Sequence, residues 1–244
     1  MLKRLIDILA SAFGLIVASP VLLPVMFLVW WEDRHSPFYI APRVGRNGLP
    51  FSMVKMRSMV IGADRKGASS TSNVDRRITP VGHFIRHYKI DELTQLWNVL
   101  KGDMSLVGPR PQVQSGVYLY TSRERDLLNV RPGITDFASI VFADEGAILA
   151  GHPDPDKCYD QLIRPGKSML GLYYVEHRSM SVDVRLVWLT IMTIVSRRRA
   201  LQGVQFLLKR LDAPAELVRL ASRGDPLVQM KPPGFENSDS ANYA

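Results

Sequence analysis

The hydrophobic residues of this chain are concentrated at its N-terminus. From Ile8 to Trp31 there are 24 consecutive residues without a charge. A straight helix of that length measures about 36 Å, which is enough to cross the hydrocarbon core of a bilayer. Pro20 and Pro24 lie inside this run, and proline removes a backbone donor and clashes with the preceding turn. The pattern therefore predicts a membrane helix that breaks near Ser19 and Pro20.

Three interpretations of this N-terminal segment are open. A cleaved signal peptide would have a similar basic start, but the apolar run is longer than usual and no small-x-small cleavage site follows it. A helix that crosses the membrane once is the second, because neighbouring groups can satisfy carbonyls freed by proline. The third is a re-entrant helix, which leaves the membrane on the side that it entered. Basic residues tend to stay cytoplasmic. They flank both ends of the run, with Lys3 and Arg4 before it and Arg34, Arg43 and Arg46 after it, and this favours re-entry.

Beyond this segment the apolar pattern changes its period. Residues 36–60 contain β-forming stretches around Arg46-Asn47-Gly48, and Asn-Gly is a strong hairpin signal, so two strands are predicted. Residues 82–102 repeat apolar side chains at helical spacing and predict an amphipathic helix that stops at Gly102. Residues 182–196 are apolar and precede three arginines. They predict either a helix on the membrane surface or a buried helix with a basic end.

These elements predict an α+β fold in three parts. A re-entrant membrane helix occupies residues 1–34, and a membrane-associated cytosolic domain occupies residues 35–200. That domain is expected to be mainly helical, with amphipathic surface helices and the small hairpin packed on it. Residues 201–244 form a C-terminal extension that is expected to be partly disordered and to contain a surface helix or an oligomer contact. Turns or loops are predicted for three segments: 62–78, 131–135 and 150–168.

The charge distribution indicates an anionic partner. The formal net charge is +8, and the stretch from Arg34 to Arg110 carries 13 Lys/Arg against 5 Asp/Glu, which is the whole imbalance. Nucleic acid, anionic lipid and a phosphorylated substrate all fit such a charge. No helix-turn-helix, aromatic-interleaved basic stripe or zinc signature supports nucleic acid. The single cysteine, Cys158, excludes an intramolecular disulfide framework.

The adjacent carboxylates Asp91 and Glu92 are the candidate catalytic residues. Acidic residues in a first helical turn often only stabilise the helix dipole. Here several basic residues occur in the same third of the chain and are candidate substrate-binding residues: Lys55, Arg57, Arg86 and Arg110. Carboxylates among cations suit a metal–diphosphate substrate, because Mg²⁺ takes one or two carboxylates plus phosphate oxygens.

Arg110 has the most informative sequence context of these basic residues. It lies between two prolines in the sequence Gly-Pro-Arg-Pro, which starts at Gly108. Each proline biases its predecessor towards an extended backbone, so the arginine is held on a stiff segment. Its guanidinium can then bind a phosphate group through two parallel hydrogen bonds. The alternative is a rigid turn with a solvent-facing arginine.

Five segments, in order and covering roughly the first 135 residues, give the chain a resemblance to a known family. It resembles the bacterial sugar transferases, the monotopic phosphoglycosyl transferases. The segments that carry the resemblance are "KRLIDI" (3–8), "SP" (19–20), "RVGRNGLPFSMVKMRSM" (43–59), "DELTQLWNVLKGDMSLVGPRP" (91–111) and "RPGIT" (131–135).

The resemblance implies an enzyme on the cytoplasmic face of the bacterial inner membrane. It would transfer a sugar-1-phosphate from a UDP-sugar to polyprenyl (undecaprenyl) phosphate and release UMP. By motif match Asp91 would be the nucleophile and bind Mg²⁺, while Glu92 would position or activate the lipid phosphate. Family positions that contact phosphate groups match Lys55, Arg86 and Arg110. The segment broken at Ser19-Pro20 would be re-entrant, in contact with membrane lipids.

One segment departs from the family pattern. After "RPGIT" the chain reads "DFASIVFADEG", and acidic residues stand where a basic residue is expected near position 145. The resemblance therefore leaves open which residues contact the nucleotide and which sugar is transferred.

A homo-oligomer is a further possibility. The alternative function is a membrane-tethered basic binding module without catalytic activity.

Overall fold

The structure is a computed structural model that describes residues 2–65, 70–150 and 152–235. Disorder was predicted for residues 231–244, of which residues 236–244 lie outside the described residues, as do residues 66–69 of the predicted loop at 62–78. The described part of that loop holds one 3₁₀ turn, Ala63–Arg65.

The first helix, α1, runs without interruption over Leu2–Asp33, so the break predicted at Ser19 and Pro20 does not occur. Proline has no N–H to offer the carbonyl four residues earlier, which for Pro20 is that of Ile16. The Ser19 hydroxyl donates to this carbonyl at 2.7 Å and replaces the missing bond. Pro20 and Pro24 both lie on the exposed face of the helix. The helical backbone therefore continues through both prolines.

One face of α1 packs on the rest of the protein along its whole length. Its buried residues follow each other at helical spacing: Asp7, Ser11, Leu22, Val25 and Val29. The other faces expose large apolar side chains, among them Leu9, Phe13, Ile16, Leu23, Phe27 and Trp31. By length and composition α1 is able to cross a membrane, with a mean hydropathy of 2.4 in its most apolar window.

The predicted hairpin is confirmed. Strand β1, Phe38–Val44, pairs antiparallel with β2, Pro50–Met56. The chain reverses in a 3₁₀ turn, Arg46–Gly48, where Asn47 and Gly48 have φ values of 59° and 76°. Glycine and asparagine tolerate this left-handed conformation, which explains why the Asn-Gly pair marks the turn.

The single helix predicted over residues 82–102 is divided into three: α2, Pro80–His87, α3, Ile90–Leu93, and α4, Leu96–Lys101. Lys89 interrupts it first, with a φ of 54°. The predicted stop is confirmed, since Gly102 ends α4 with a φ of 101°.

Two short strands join motifs that are distant in sequence. Strand β3, Ser105–Val107, pairs in parallel with β4, Gly133–Thr135. The sequence predicted only a turn at residues 131–135. This prediction was incomplete because the pairing partner lies 28 residues away and has no local signature.

The remaining helices are α5, Gln114–Tyr118; α6, Phe137–Val141; α7, Glu145–Ile148; α8, Pro155–Cys158; α9, Arg164–His177; α10, Met180–Val195; α11, Arg197–Arg210; and α12, Ala215–Ser222. All of these helices except α5 contribute to the largest core. The loop predicted over residues 150–168 is wrong beyond residue 154. Pro155 and Pro165 lie in the first turns of α8 and α9, where a backbone N–H is not needed.

Helix α10 packs one side into the core, as the buried alternative predicted, and leaves the other side exposed. Val182, Leu186 and Leu189 are buried in the large core, whereas the opposite side exposes apolar residues that include Trp188 and Ile191. Residue 201, the expected start of a C-terminal extension, lies inside α11, and the buried face of α11 belongs to the same core. The architecture is α+β, with α1 and two small sheets packed against a mainly helical body.

Candidate active site

Helix α3 brings the two predicted carboxylates together with cations from distant segments. The Lys55 ammonium nitrogen on β2 lies 3.8 Å from an Asp91 carboxylate oxygen. The Arg110 guanidinium donates to the Glu92 carboxylate at 2.6 Å. All four side chains are partly buried. We call Lys55, Asp91, Glu92 and Arg110 the carboxylate–cation cluster.

Two polar side chains fix the position of β2 relative to α3 and α4. The Thr94 hydroxyl donates to the carbonyl of Val54 at 3.1 Å. The buried Asn98 amide accepts from the Val54 N–H at 2.8 Å and donates to the Ser52 carbonyl at 2.7 Å. Because Val54 precedes Lys55, these bonds set how far Lys55 lies from Asp91. The sequence analysis missed both residues; polar residues on an otherwise apolar helix face were the available signal.

The backbone before Arg110 is held by the β3–β4 pair. The Gly108 N–H donates to the Thr135 carbonyl at 2.9 Å, and the Gly133 N–H donates to the Pro109 carbonyl at 3.0 Å. A Cβ atom at Gly133 would lie 2.1 Å from the Gly108 nitrogen, so only glycine permits this approach. The "RPGIT" segment therefore supports the backbone that carries Arg110.

Burial and charge act on the cluster in opposite directions. Burial favours the neutral form of Glu92, but the charges of Arg110, Lys55 and Lys89 outweigh it and lower the pKa of Glu92 to about 2. For Asp91 burial dominates and raises the pKa, against the opposing charge of Lys55. Burial, with the repulsion of Arg110, lowers the pKa of Lys55. Glu92 is thus a firmly ionised partner of Arg110, while Asp91 is a poorly solvated carboxylate.

Arg86 lies beside the cluster, whereas Arg57 does not. Arg86 lines a cavity of about 600 Å³ together with Tyr88 and Lys89, and its charge acts on Asp91. Arg57 instead donates to an Asp33 carboxylate oxygen at 2.6 Å, at the end of α1. Strand β2 ends at Met56, so the alternation that orients Lys55 no longer applies to Arg57.

The acidic departure after "RPGIT" is neutralised by later segments. Asp144 pairs with Arg197 at 2.8 Å and with Arg223 at 3.2 Å. Glu145 pairs with Lys167 of α9. Lys167 also lines the small cavity behind Arg110, and the two positive charges repel each other. A basic residue is therefore present near this end of the site, supplied by a helix that the sequence analysis read as a loop.

The donor set suits Mg²⁺ bound partly by substrate. Among the described residues, no group of three or more His, Cys, Asp or Glu side chains is arranged to hold a metal. Mg²⁺ retains waters and binds through one or two carboxylates plus phosphate oxygens, so it does not require such a group. Asp91 fits this role, because Glu92 is already engaged by Arg110. The chemistry of these donors is compatible with the predicted magnesium ion.

Comparison with known proteins gives consistent matches. A family model described as bacterial sugar transferase matches residues 1–197. The chain is 34% identical over 209 residues to a UDP-N-acetylgalactosamine-undecaprenyl-phosphate N-acetylgalactosaminephosphotransferase of Aeromonas hydrophila, covering 80% of this chain and 44% of the relative. It is 35% identical over 209 residues to an undecaprenyl-phosphate glucose phosphotransferase of Komagataeibacter xylinus, covering 81% and 36%.

A relative of similar size also matches. The uncharacterized sugar transferase EpsL of Bacillus subtilis is 34% identical over 194 residues, which cover 80% of this chain and 87% of the relative. The chain spans less than half the length of the Aeromonas and Komagataeibacter proteins. The similarity to those two therefore concerns one part of each of them.

Proposed function

Since the chain belongs to the bacterial sugar transferase family, we propose that it transfers a sugar-1-phosphate from a UDP-sugar to undecaprenyl phosphate and releases UMP. The observation that carries this proposal is the carboxylate–cation cluster, in which Asp91 lies beside Lys55 and next to the Glu92–Arg110 pair. Cations at these positions suit a diphosphate, and the names of the relatives specify undecaprenyl-phosphate acceptors.

In the first step Asp91 acts as the nucleophile. A carboxylate oxygen attacks the phosphorus that bears the sugar, and the bond from that phosphorus to the bridging oxygen breaks. UMP leaves with the bridging oxygen, and the sugar phosphate stays on Asp91 as an acyl phosphate. Lys55 and Arg110 neutralise charge on the phosphate oxygens, which is the main contribution that a protein makes to phosphoryl transfer.

In the second step the sugar phosphate is transferred from Asp91 to the lipid. An oxygen of undecaprenyl phosphate attacks the same phosphorus, and the bond to Asp91 breaks, which regenerates the free carboxylate. Glu92 holds Arg110 in place throughout, because their hydrogen bond fixes the position of the guanidinium. Mg²⁺, held by Asp91 and the substrate phosphates, would supply further charge neutralisation when bound.

The contacts of α1 support an arrangement with both of its ends on the cytoplasmic side of the inner membrane. Near its start, Lys3 pairs with Asp183 at 2.5 Å, and Arg4 donates to the Val99 carbonyl at 2.5 Å. Near its end, Asp33 pairs with Arg57. A helix that crossed the membrane once would carry one end away from a cytosolic domain, whereas here both ends are fastened to the same body.

The activity is tested with protein purified in detergent. Wild-type protein with a panel of UDP-sugars, undecaprenyl phosphate and Mg²⁺ is expected to release UMP with at least one sugar. Asp91→Asn should abolish UMP release and the covalent phosphosugar adduct, because an amide is a poor nucleophile. The exposed Asp225 provides a matched control, and Asp225→Asn should retain both. Unimpaired turnover by Asp91→Asn would exclude the assigned nucleophile.

The topology is tested by cysteine labelling in sealed vesicles. The native Cys158 is buried and gives little background. Leu2→Cys and Arg34→Cys should both be labelled by a membrane-impermeant reagent from the cytoplasmic side, and neither from the opposite side. Labelling of the two positions from opposite sides would show that α1 spans the membrane.

A further inference from the structure

Arg43 lies on the same face of the hairpin as Lys55. Strand β1 places Arg43 opposite Phe51, and Tyr39, four residues earlier, lies opposite Lys55. Side chains two and four residues apart on a strand point to the same face. The face of the β1–β2 hairpin that carries Lys55 towards Asp91 therefore carries Arg43 as well.

The segment that carries Arg110 runs beside Arg43. The N–H of Val44, the residue after Arg43, donates to the carbonyl of Gln112 at 2.9 Å. Arg110 is two residues before Gln112, so this bond brings the backbone of the proline-flanked arginine next to the end of β1. The electrostatics agree with this placement, because burial, with the repulsion of Arg110, lowers the pKa of Arg43.

Arg43 lies near two cations, Lys55 and Arg110, whose charges are already neutralised by carboxylates. Lys55 pairs with Asp91 and Arg110 pairs with Glu92. The Arg43 guanidinium donates to the carbonyl of Pro42 at 2.8 Å, and within the described residues no carboxylate lies at ion-pair distance from it. Its other neighbours include the phenols of Tyr39 and Tyr159, which act on its charge. A guanidinium that is partly buried beside two like charges is held in an unfavourable place unless an anion joins it.

We propose that Arg43 is a further substrate-binding residue, which binds a phosphate group beside the one contacted by Lys55 and Arg110. This inference rests on the proposed function for the source of that phosphate, which is either the nucleotide of the donor or the head of the lipid acceptor. The ligand chemistry is the same for both: oxygens of a phosphate group accept hydrogen bonds from a planar guanidinium.

The test compares Arg43→Gln with a control three residues away. Arg46 is exposed in the hairpin turn, so Arg46→Gln removes the same charge from the same hairpin. The probe is inorganic pyrophosphate with Mg²⁺, and the readout is the melting temperature of the full-length protein in detergent. Pyrophosphate is expected to raise the melting temperature of wild type and Arg46→Gln, and to raise that of Arg43→Gln by less than half as much. Equal shifts in all three proteins, including no shift in any, would overturn the proposal.

A second readout separates a binding role from a structural one. Without ligand, Arg43→Gln should melt at the wild-type temperature or above it, because the substitution removes repulsion with Lys55 and Arg110. A lower melting temperature would show that Arg43 supports the fold instead. Arg43→Lys retains the charge without the fork of donors, and should recover part of the pyrophosphate shift.

Kinetics then assign the phosphate to one source. If it belongs to the donor, Arg43→Gln should raise the KM for the UDP-sugar by about 10- to 100-fold and slow formation of the adduct on Asp91. If it belongs to the acceptor, adduct formation should be normal and the KM for undecaprenyl phosphate should rise instead. Unchanged KM values for both would also overturn the proposal. Should wild type transfer no sugar, the proposed function fails, while the pyrophosphate measurement still decides the role of Arg43.

Discussion

Asp7 gives the sharpest test of how α1 is attached to the rest of the protein. Its carboxylate is 5% exposed and accepts two hydrogen bonds, from the Ser105 hydroxyl at 2.8 Å and from the Leu106 N–H at 3.2 Å. Asp7→Ala would leave the buried Ser105 hydroxyl and the partly buried Leu106 N–H without this partner. Each unsatisfied donor costs about 1–3 kcal/mol, so we expect a loss of about 2–6 kcal/mol.

Ser11 provides a matched control on the same helix face, one turn later. It is also fully buried, but its hydroxyl oxygen has no hydrogen-bond partner among the described residues. Ser11→Ala removes an unpaired polar atom, and we expect it to change the stability by less than about 1 kcal/mol, or to increase it. The two substitutions therefore compare a buried polar group that is hydrogen-bonded with one that is not, one helical turn apart.

The assay is thermal unfolding of the purified full-length protein in detergent micelles, followed by circular dichroism. For a domain of this size, 1 kcal/mol corresponds to about 2–4 °C. Asp7→Ala should lower the melting temperature by about 4–24 °C, and Ser11→Ala should stay within about 4 °C of wild type. Equal shifts for the two variants, or a wild-type melting temperature for Asp7→Ala, would refute the view that Asp7 fastens α1 to β3.

Two further predictions concern the support of the site. Gly133→Ala should destabilise the protein by about 3 kcal/mol and reduce transfer, because its Cβ would lie 2.1 Å from the Gly108 nitrogen and force β3 and β4 apart; urea unfolding measures the loss. Lys167→Met should cost about 2 kcal/mol by leaving Glu145 partly buried without its cation. Adding Glu145→Leu should restore most of that loss, as a double-mutant cycle would show. A Gly133→Ala protein of wild-type stability, or additive effects at Lys167 and Glu145, would contradict these expectations.

Local patterns gave reliable predictions where one segment determines its own conformation. The hairpin follows from Asn47 and Gly48, whose backbones adopt the left-handed conformation that the turn needs. Gly102 ends α4 for the same reason. The motifs around Lys55, Asp91 and Arg110 identified the family. They also contain the four residues that the structure brings into one cluster.

The features that the sequence analysis missed depend on contacts between distant segments. The pairing of Gly133 with Ser105 has no local signal, so "RPGIT" read as a turn. Arg57 was grouped with the site by its position in the chain, and only the structure shows its bond to Asp33. At Pro20 a helix break was predicted from the proline alone. The structure shows that the Ser19 hydroxyl donates to the Ile16 carbonyl, so the helix continues there.

The packing of α1 determines how the protein can be truncated. Leu22, Val25 and Val29 share a hydrophobic cluster with Met56, Ile85 and Ile90, and Ile90 immediately precedes Asp91 in α3. Deleting the first 33 residues would therefore not release a water-soluble catalytic fragment. It would expose the apolar side of α3, the helix that carries Asp91, to water, so the apolar N-terminal helix also supports the candidate active site from below.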